Sequence, residues 1–200
     1  MMRPKSSVPR GYQAVMPSLR VKDAAAAIKF YKKVFGASES YRLKMGGRLA
    51  HAEFTIGGAT LMISDEFPEM KAVGPQTLKG TSVSLTVYVD DVDKLVAKAQ
   101  KAGAKIRRPV ADMFYGDRVG LIEDPFGHVW SVHTRLKKVA PKDMQKALTA
   151  MVRAEAAQAK AAPAKKAKTA ASAKKAAVRK APAKAASARK PARKTSRKGA

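Results

Sequence analysis

The chain contains no cysteine, one tryptophan and an aromatic share of 6%. The missing cysteines remove disulfide frameworks and thiol chemistry, and make a cytoplasmic or nucleoid location the expectation. No apolar run reaches the roughly 18 residues expected of a membrane span, and the opening MMRPKSSVPRGYQ lacks the apolar stretch of a signal peptide. A membrane partner is therefore not expected. Acidic residues are scarce, with 15 Asp/Glu against 41 Lys/Arg and a formal net charge of +26. From Ala156 onward they vanish, while 15 Lys/Arg remain among Ala, Pro, Ser and Thr. This tail has no Leu, Ile, Phe, Tyr or Trp and a single valine, Val178, so nothing offsets the entropy of ordering it.

Organisation begins where the tail ends. YQAVMPSLRV (Tyr12–Val21) reads as a strand, after which Asp23 caps a helix, DAAAAIKFYKKVFG, that Gly36 closes. Ala24, Ala27, Ile28, Tyr31, Val34 and Phe35 share one face of that helix. SESYRLKM, RLAHAEFTI and ATLMIS follow as strands, divided by Gly46-Gly47 and Gly57-Gly58 at hairpin spacing. The second half repeats the βαβββ plan: VSLTVYV, a helix capped by Asp91 and ended by Gly103, then AKIRRPV, DRVGLIE and VWSVHT. Val21-Lys22-Asp23 matches Val89-Asp90-Asp91, and the two Val-to-Gly intervals differ by one residue, which marks an internal repeat.

The expected fold is therefore α+β, with two βαβββ modules forming a cleft along their inner faces and a helix on the outside of each sheet. The expected boundaries are a flexible N-terminus (1–10), a folded region (11–138) made of modules 11–66 and 80–136, an amphipathic helical connector (139–162) and a disordered basic tail (163–200). Met144, Ala147, Leu148, Met151 and Val152 fall on one face of the connector, which suits packing on the body or on a second subunit.

The paired modules, together with LRVKDAAAAIKFYKKVFGA, HAEFTIGGATLMISDE, VYVDDVDKLVAKAQKAGAK and FYGDRVGLIEDPFGHVW, resemble the glyoxalase/bleomycin-resistance/dioxygenase superfamily, also called vicinal oxygen chelate. The PhnB-like branch is the most similar. The resemblance covers roughly residues 10–135 and implies a small oxygenated metabolite or drug as ligand, with lyase, isomerase or dioxygenase chemistry, or sequestration without catalysis. It also implies homodimers and one divalent metal, held by side chains from the first and a late strand of each module.

Carried onto this chain, the metal positions fall at Met16, Glu53, Ser84 and Ser131. A thioether and two hydroxyls are poor ligands for such an ion, so the site is either lost or rebuilt. In a strand, residues two apart share a face, which places His51 with Glu53 and His133 with Ser131. A His51–Glu53–His133 group would be a two-histidine, one-carboxylate site; otherwise both histidines are strand residues with local partners. Glu53 and Tyr115 are the candidate catalytic residues. Met16, Ser84, Arg118 and Ser131 are the candidate cleft residues, with Arg118 suited to clamp an anionic oxygen or to pair with Asp117 or Glu123. His128 and Asp124-Pro125 read as turn residues and Trp130 as core. Asp65, Glu66 and Glu69 form an acidic loop, either a cation holder or a solvated linker. No nucleophilic triad, phosphate loop or zinc finger is evident in the sequence.

The tail resembles those of linker histones and bacterial histone-like proteins. Its spaced cations, among them Lys165, Lys166, Lys174, Lys175, Arg179, Lys180, Arg193, Lys194, Arg197 and Lys198, suit double-stranded DNA or another polyanion. The alternative role of the whole chain is thus DNA association, with the folded region as a dimerising scaffold.

Overall fold

A computed structural model describes residues 7–157. The first module contains β1 (Ser18–Val21), α1 (Ala24–Phe35), β2 (Ser38–Met45), β3 (Arg48–Ile56) and β4 (Ala59–Asp65). A 3-10 turn (Pro68–Met70) and a one-turn helix, α2 (Pro75–Leu78), lead to the second module. That module contains β5 (Ser84–Tyr88), α3 (Val92–Lys101), β6 (Lys105–Asp112), β7 (Asp117–Glu123) and β8 (Val129–Arg135). The strand orders are β1-β4-β3-β2 and β5-β8-β7-β6, one four-stranded sheet per module.

The repeat read from the sequence is reproduced in hydrogen bonds. Asp23 caps α1 at the Ala26 amide (2.8 Å), and Asp91 caps α3 at the Lys94 amide (2.9 Å). The last strand of each module also holds the start of its helix: Asp65 accepts from the Ala24 amide (2.7 Å), and Thr134 accepts from the Val92 amide (2.9 Å). Both hairpins of the first module turn on a glycine pair with φ of 55° and 82°, a left-handed combination that suits a two-residue turn.

The first strand is shorter than expected. Sheet pairing starts at the Pro17 carbonyl, which accepts from the Met62 amide at 2.9 Å, because proline has no N–H to donate. Residues 11–16 instead cross the β3–β4 hairpin. Gln13 bonds the Thr60 amide there, and Tyr12 reaches Glu53.

The helices also lie elsewhere than expected. Rather than flanking the sheets on the outside, α1 and α3 touch one another and share a single core with both sheets. Tyr31 of α1 stacks on Phe54 (5.3 Å between rings) and also meets Trp130 of β8, while Phe35 lies 4.5 Å from Trp130. Phe30 is buried with them, although the helical face read from the sequence omitted it. Each sheet therefore turns its helix-bearing face inward, and the opposite faces are open. A large aromatic buried in this way contributes roughly 2–3 kcal/mol by removal of apolar surface from water.

The DPFG turn anchors the two modules to each other. Asp124 is 2% exposed and accepts from the Phe126 and His128 amides, the Trp130 indole and the Tyr31 hydroxyl of the other module. Turn chemistry is confirmed, but the sequence reading missed that Asp124 is a buried hub. His128, half-buried, sits with Nε2 3.2 Å from the Arg20 carbonyl. Burial pushes its imidazole below the usual value, against the opposing charge of Asp124.

The acidic loop is dispersed rather than gathered. Asp65 bonds the Ala24 and Leu49 amides, Glu66 bonds the Gly74 amide and Thr77, and Glu69 pairs with Arg48. The compact unit ends at Lys146. A fourth helix, α4, occupies residues 141–157, and its portion from Ala147 belongs to a second unit; residues 158–162 of the expected connector lie outside the described residues. No helix among the described residues is long and apolar enough to cross a membrane. The ten Lys/Arg named for nucleic-acid binding, and the tail that carries them, lie outside the described residues.

Candidate functional site

The alternation of β3 places Ala52, Phe54 and Ile56 in the core, and His51 and Glu53 on the open face of the first sheet. Glu53 is 4% exposed despite facing outward. Its Oε2 accepts from Tyr12 at 2.6 Å, and its Oε1 from Tyr41 at 2.9 Å; His51 Nε2 lies 3.1 Å from the same Oε1. Burial pushes the Glu53 carboxyl up, but the bonds from Tyr12, His51 and Tyr41 outweigh it and hold the group below its usual value. In return the Tyr12 hydroxyl, hydrogen-bonded to a carboxylate, is pushed up to about 12. Glu53 lies on the third strand of its module and Ser131 on the fourth strand of the other, so the two are not equivalent positions of the repeat.

The second module builds a cluster of the same kind from other strands. Direct pairings of Thr86 with Ser131, Tyr88 with His133 and Leu121 with Ser131 put these residues on the open face. Asp117, at the start of β7, shares that face and is 2% exposed. Its Oδ2 accepts from the Tyr88 hydroxyl at 2.8 Å and lies 3.1 Å from His133 Nδ1, while its Oδ1 accepts from Arg135 at 3.1 Å. Ser131 Oγ lies 2.8 Å from His133 Nε2. Burial raises the Asp117 carboxyl, and the bonds from His133 and Tyr88, with the charge of Arg135, pull it below its usual value. The His133 ring lies between Tyr88 (5.1 Å) and Tyr115 (6.4 Å).

Several expected roles change in this geometry. His51, Glu53 and His133 do not converge: the first two meet on one sheet, and His133 meets Asp117 and Ser131 on the other. Among the described residues no group of three or more His, Asp or Glu has metal-ligand spacing. The residues present do not fit the divalent ion that the resemblance implies. Met16, half-buried before β1, and Ser84 and Ser131 are weak ligands, and every oxygen of Glu53 and Asp117 is already engaged by protein donors. Arg118 is no clamp either. Strand alternation turns it away from Asp117 toward α3, where it pairs with Asp93 at 2.7 Å and with Asp112 at 2.7 Å. Tyr115, in the turn before β7, does reach the open face beside His133, and desolvation raises its hydroxyl while the nearby charge of Arg108 opposes the rise.

Sequence reasoning missed Tyr12, Tyr41, Tyr88, Arg135 and the placement of Asp117. The usable signal was an acid in each of two strands with an apolar face, HAEFTI and DRVGLI, since a strand acid that is buried must find donors. A separate cavity of about 470 Å³ opens between β1, β5 and the linker, lined by Leu19, Arg20, Pro75, Leu78, Leu85 and His128. None of the candidate site residues lines it.

Comparison with known proteins agrees with this architecture. An uncharacterized protein of Mycobacterium tuberculosis, Rv0887c, is 40% identical over 140 residues, covering 68% of this chain and 82% of that protein. The X-ray structure of the Arabidopsis thaliana gene product At5g48480 superposes with a TM-score of 0.51 at 26% identity, over 60% of this chain and 98% of that one. A Bacillus cereus structure described as a putative 3-demethylubiquinone-9 3-methyltransferase, PhnB protein, shares the fold with a TM-score of 0.51 at 19% identity, over 61% of this chain and 99% of that one. The sequence model of the Glyoxalase/Bleomycin resistance protein/Dioxygenase superfamily matches residues 13–132, and the chain belongs to that superfamily.

Proposed function

We propose that this protein binds a compact oxygenated small molecule against the open face of its second module, using hydroxyl, imidazole and guanidinium groups in place of a metal ion. The carrying observation is Asp117, a carboxylate 2% exposed on the sheet face turned away from the helices and fastened by Tyr88, His133 and Arg135. Polar side chains locked in this way are what a recognition site needs. Tyr115 and Arg108 border it and suit an anionic or carbonyl oxygen. A second copy of the chain is proposed to cover the open faces. Their exposed apolar groups support this, with Tyr41 44%, Leu43 57% and Tyr88 55% exposed.

The test is ligand-detected NMR with a panel of short hydroxy- and keto-carboxylates, alongside elemental mass spectrometry on full-length protein purified without chelator. Tyr115→Phe should weaken binding by about 10-fold, the worth of one hydrogen bond, while Glu53→Ala on the other module leaves it unchanged. Stoichiometric metal that disappears in both Glu53→Ala and His51→Ala would overturn the metal-free reading.

The composition of the tail supports a second activity, polyanion binding. If 8 phosphates are engaged, the slope of log K against log salt on duplex DNA is roughly −7. A chain truncated after Lys138 should lose this retention and keep its small-molecule site. Retention that survives the truncation would remove the tail from the account.

A further inference from the structure

We propose that Ser131 is a nucleophile activated through a Ser131–His133–Asp117 relay, and that the open face of the second module hydrolyses small carboxylic esters or lactones. The inference rests on the reading of that face as the ligand-binding one and supplies its chemistry.

The atoms stand in the order such a relay requires. Ser131 Oγ is 2.8 Å from His133 Nε2, and His133 Nδ1 is 3.1 Å from Asp117 Oδ2. Asp117 is buried with its oxygens engaged by Tyr88 and Arg135, so it accepts a proton bond without moving. An ionised Asp117 keeps the imidazole proton on Nδ1, which leaves Nε2 as the acceptor for the serine hydroxyl. The ring is confined between Tyr88 and Tyr115, and β8 is paired on both sides by β5 and β7. Ser131 and His133 are two residues apart on one strand, a spacing that places both on one face, while Asp117 arrives from β7. Nothing in the linear sequence joins the three.

Backbone amides inside a paired strand are committed to the ladder, so side chains must meet the developing oxyanion. Direct pairing aligns Thr86, Ser131, Leu121 and Arg108 in one row across the sheet. Arg108 therefore starts about 10 Å from Ser131, two strand spacings away and within reach of its long side chain. Its charge already acts on the Tyr115 hydroxyl. Arg108 and Tyr115 are the donors assigned to the oxyanion.

In the acylation step Ser131 Oγ bonds to the ester carbonyl carbon and its proton passes to His133 Nε2. The carbon–alkoxy bond then breaks, and the alcohol departs with that proton. Water enters, gives a proton to His133 and attaches to the acyl carbon. The Oγ–carbon bond breaks, His133 returns the proton to Ser131, and a carboxylic acid leaves. The net reaction consumes one ester and one water.

The experiment is labelling of the full-length protein with a fluorophosphonate probe, followed by intact mass and peptide mapping, with hydrolysis of p-nitrophenyl butyrate in parallel. One adduct per chain on Ser131 is expected, absent in Ser131→Ala and formed about 100-fold more slowly in His133→Gln, the scale of one general base. Asp117→Asn acts through His133 and should lower kcat by a similar factor with KM unchanged, a split that mere loosening of the fold would not produce. No adduct on the wild type, an adduct that survives Ser131→Ala, or full-rate labelling of His133→Gln would each overturn the proposal. Ser131→Ala removes a single oxygen and decides the matter even where the other variants fold poorly. Butyrate binding to the wild type, followed by NMR, separates the two ideas: binding with no adduct on the wild type sinks the nucleophile alone, and absence of binding sinks the ligand face.

Discussion

The two open faces solve one physical problem with different outcomes. Each carries a nearly buried carboxylate, Glu53 at 4% exposure and Asp117 at 2%, and each surrounds it with tyrosine and histidine. In the first module the histidine points its Nε2 at Glu53 and the chain of contacts stops there. In the second the histidine uses Nδ1 for Asp117 and turns Nε2 toward Ser131, so the cluster ends in a hydroxyl that can react. Sharing residue types is therefore not enough; which imidazole nitrogen faces the acid separates a structural cluster from a chemical one.

The largest expected effect tests whether the second cluster is also the tighter. Asp117→Ala strands His133, whose side chain is 12% exposed, and should cost about 3 kcal/mol in urea denaturation. Glu53→Ala leaves Tyr41, 44% exposed, and Tyr12 free to rehydrate, and should cost about 1 kcal/mol. Equal losses would mean that the two carboxylates are held alike.

A second contrast concerns backbone. Gly116, at the turn that positions Tyr115, has φ 97°, and a Cβ there would lie 2.3 Å from the Lys137 carbonyl oxygen. Gly36, at the end of α1, has φ 69° with open space around it. Thermal unfolding should show a loss of about 2–3 kcal/mol for Gly116→Ala and about 1 kcal/mol for Gly36→Ala.

A smaller effect is expected in acid. Both carboxyls are held below their usual values of 4.5 and 3.8, so their stabilisation is complete above those values and is lost as pH falls through the folded-state values. Asp117→Asn should flatten that acid limb. His128, kept neutral by burial, acts at higher pH. The unfolded chain protonates it from about 6.5 downward while the fold resists, so stability declines below that pH by at most one proton, about 1.4 kcal/mol per unit. His128→Gln should remove this shallow slope, and a wild-type curve level between pH 7 and 5 would show that His128 does not behave so.

Much of the fold was legible in the sequence for local reasons. Asp23 and Asp91 cap helices because a short carboxylate reaches the amide three residues on. The glycine pairs turn hairpins because their φ values exclude most side chains, and DRVGLIE matches the observed strand residue for residue. Alternation likewise placed Trp130 and Ser131 on opposite faces, with Trp130 in the core. The superfamily could be named from these elements.

The site was legible in part. His51 beside Glu53 and His133 beside Ser131 follow from a period of two, and both contacts exist. Their convergence into one metal group does not follow from that period, because it depends on how two sheets are disposed, and the helix-bearing faces turned out to be the ones that meet. Arg118 was misread for a related reason: its neighbour Asp117 points to the opposite face, so its partners came from α3 and β6.

By itself the sequence determined the repeat, the caps, the turns and which residues of each strand share a side, all of which depend on chain geometry over a few residues. It also determined a tail with 15 positive charges and no negative ones. Tertiary structure alone decided that Asp117 of β7 would meet His133 of β8, that Tyr31 of the first module would bond Asp124 of the second, and that residues 11–16 would lay Tyr12 across Glu53. Those contacts span 16, 93 and 41 residues of chain, and their partners are selected by strand register and shared burial, which no local pattern encodes.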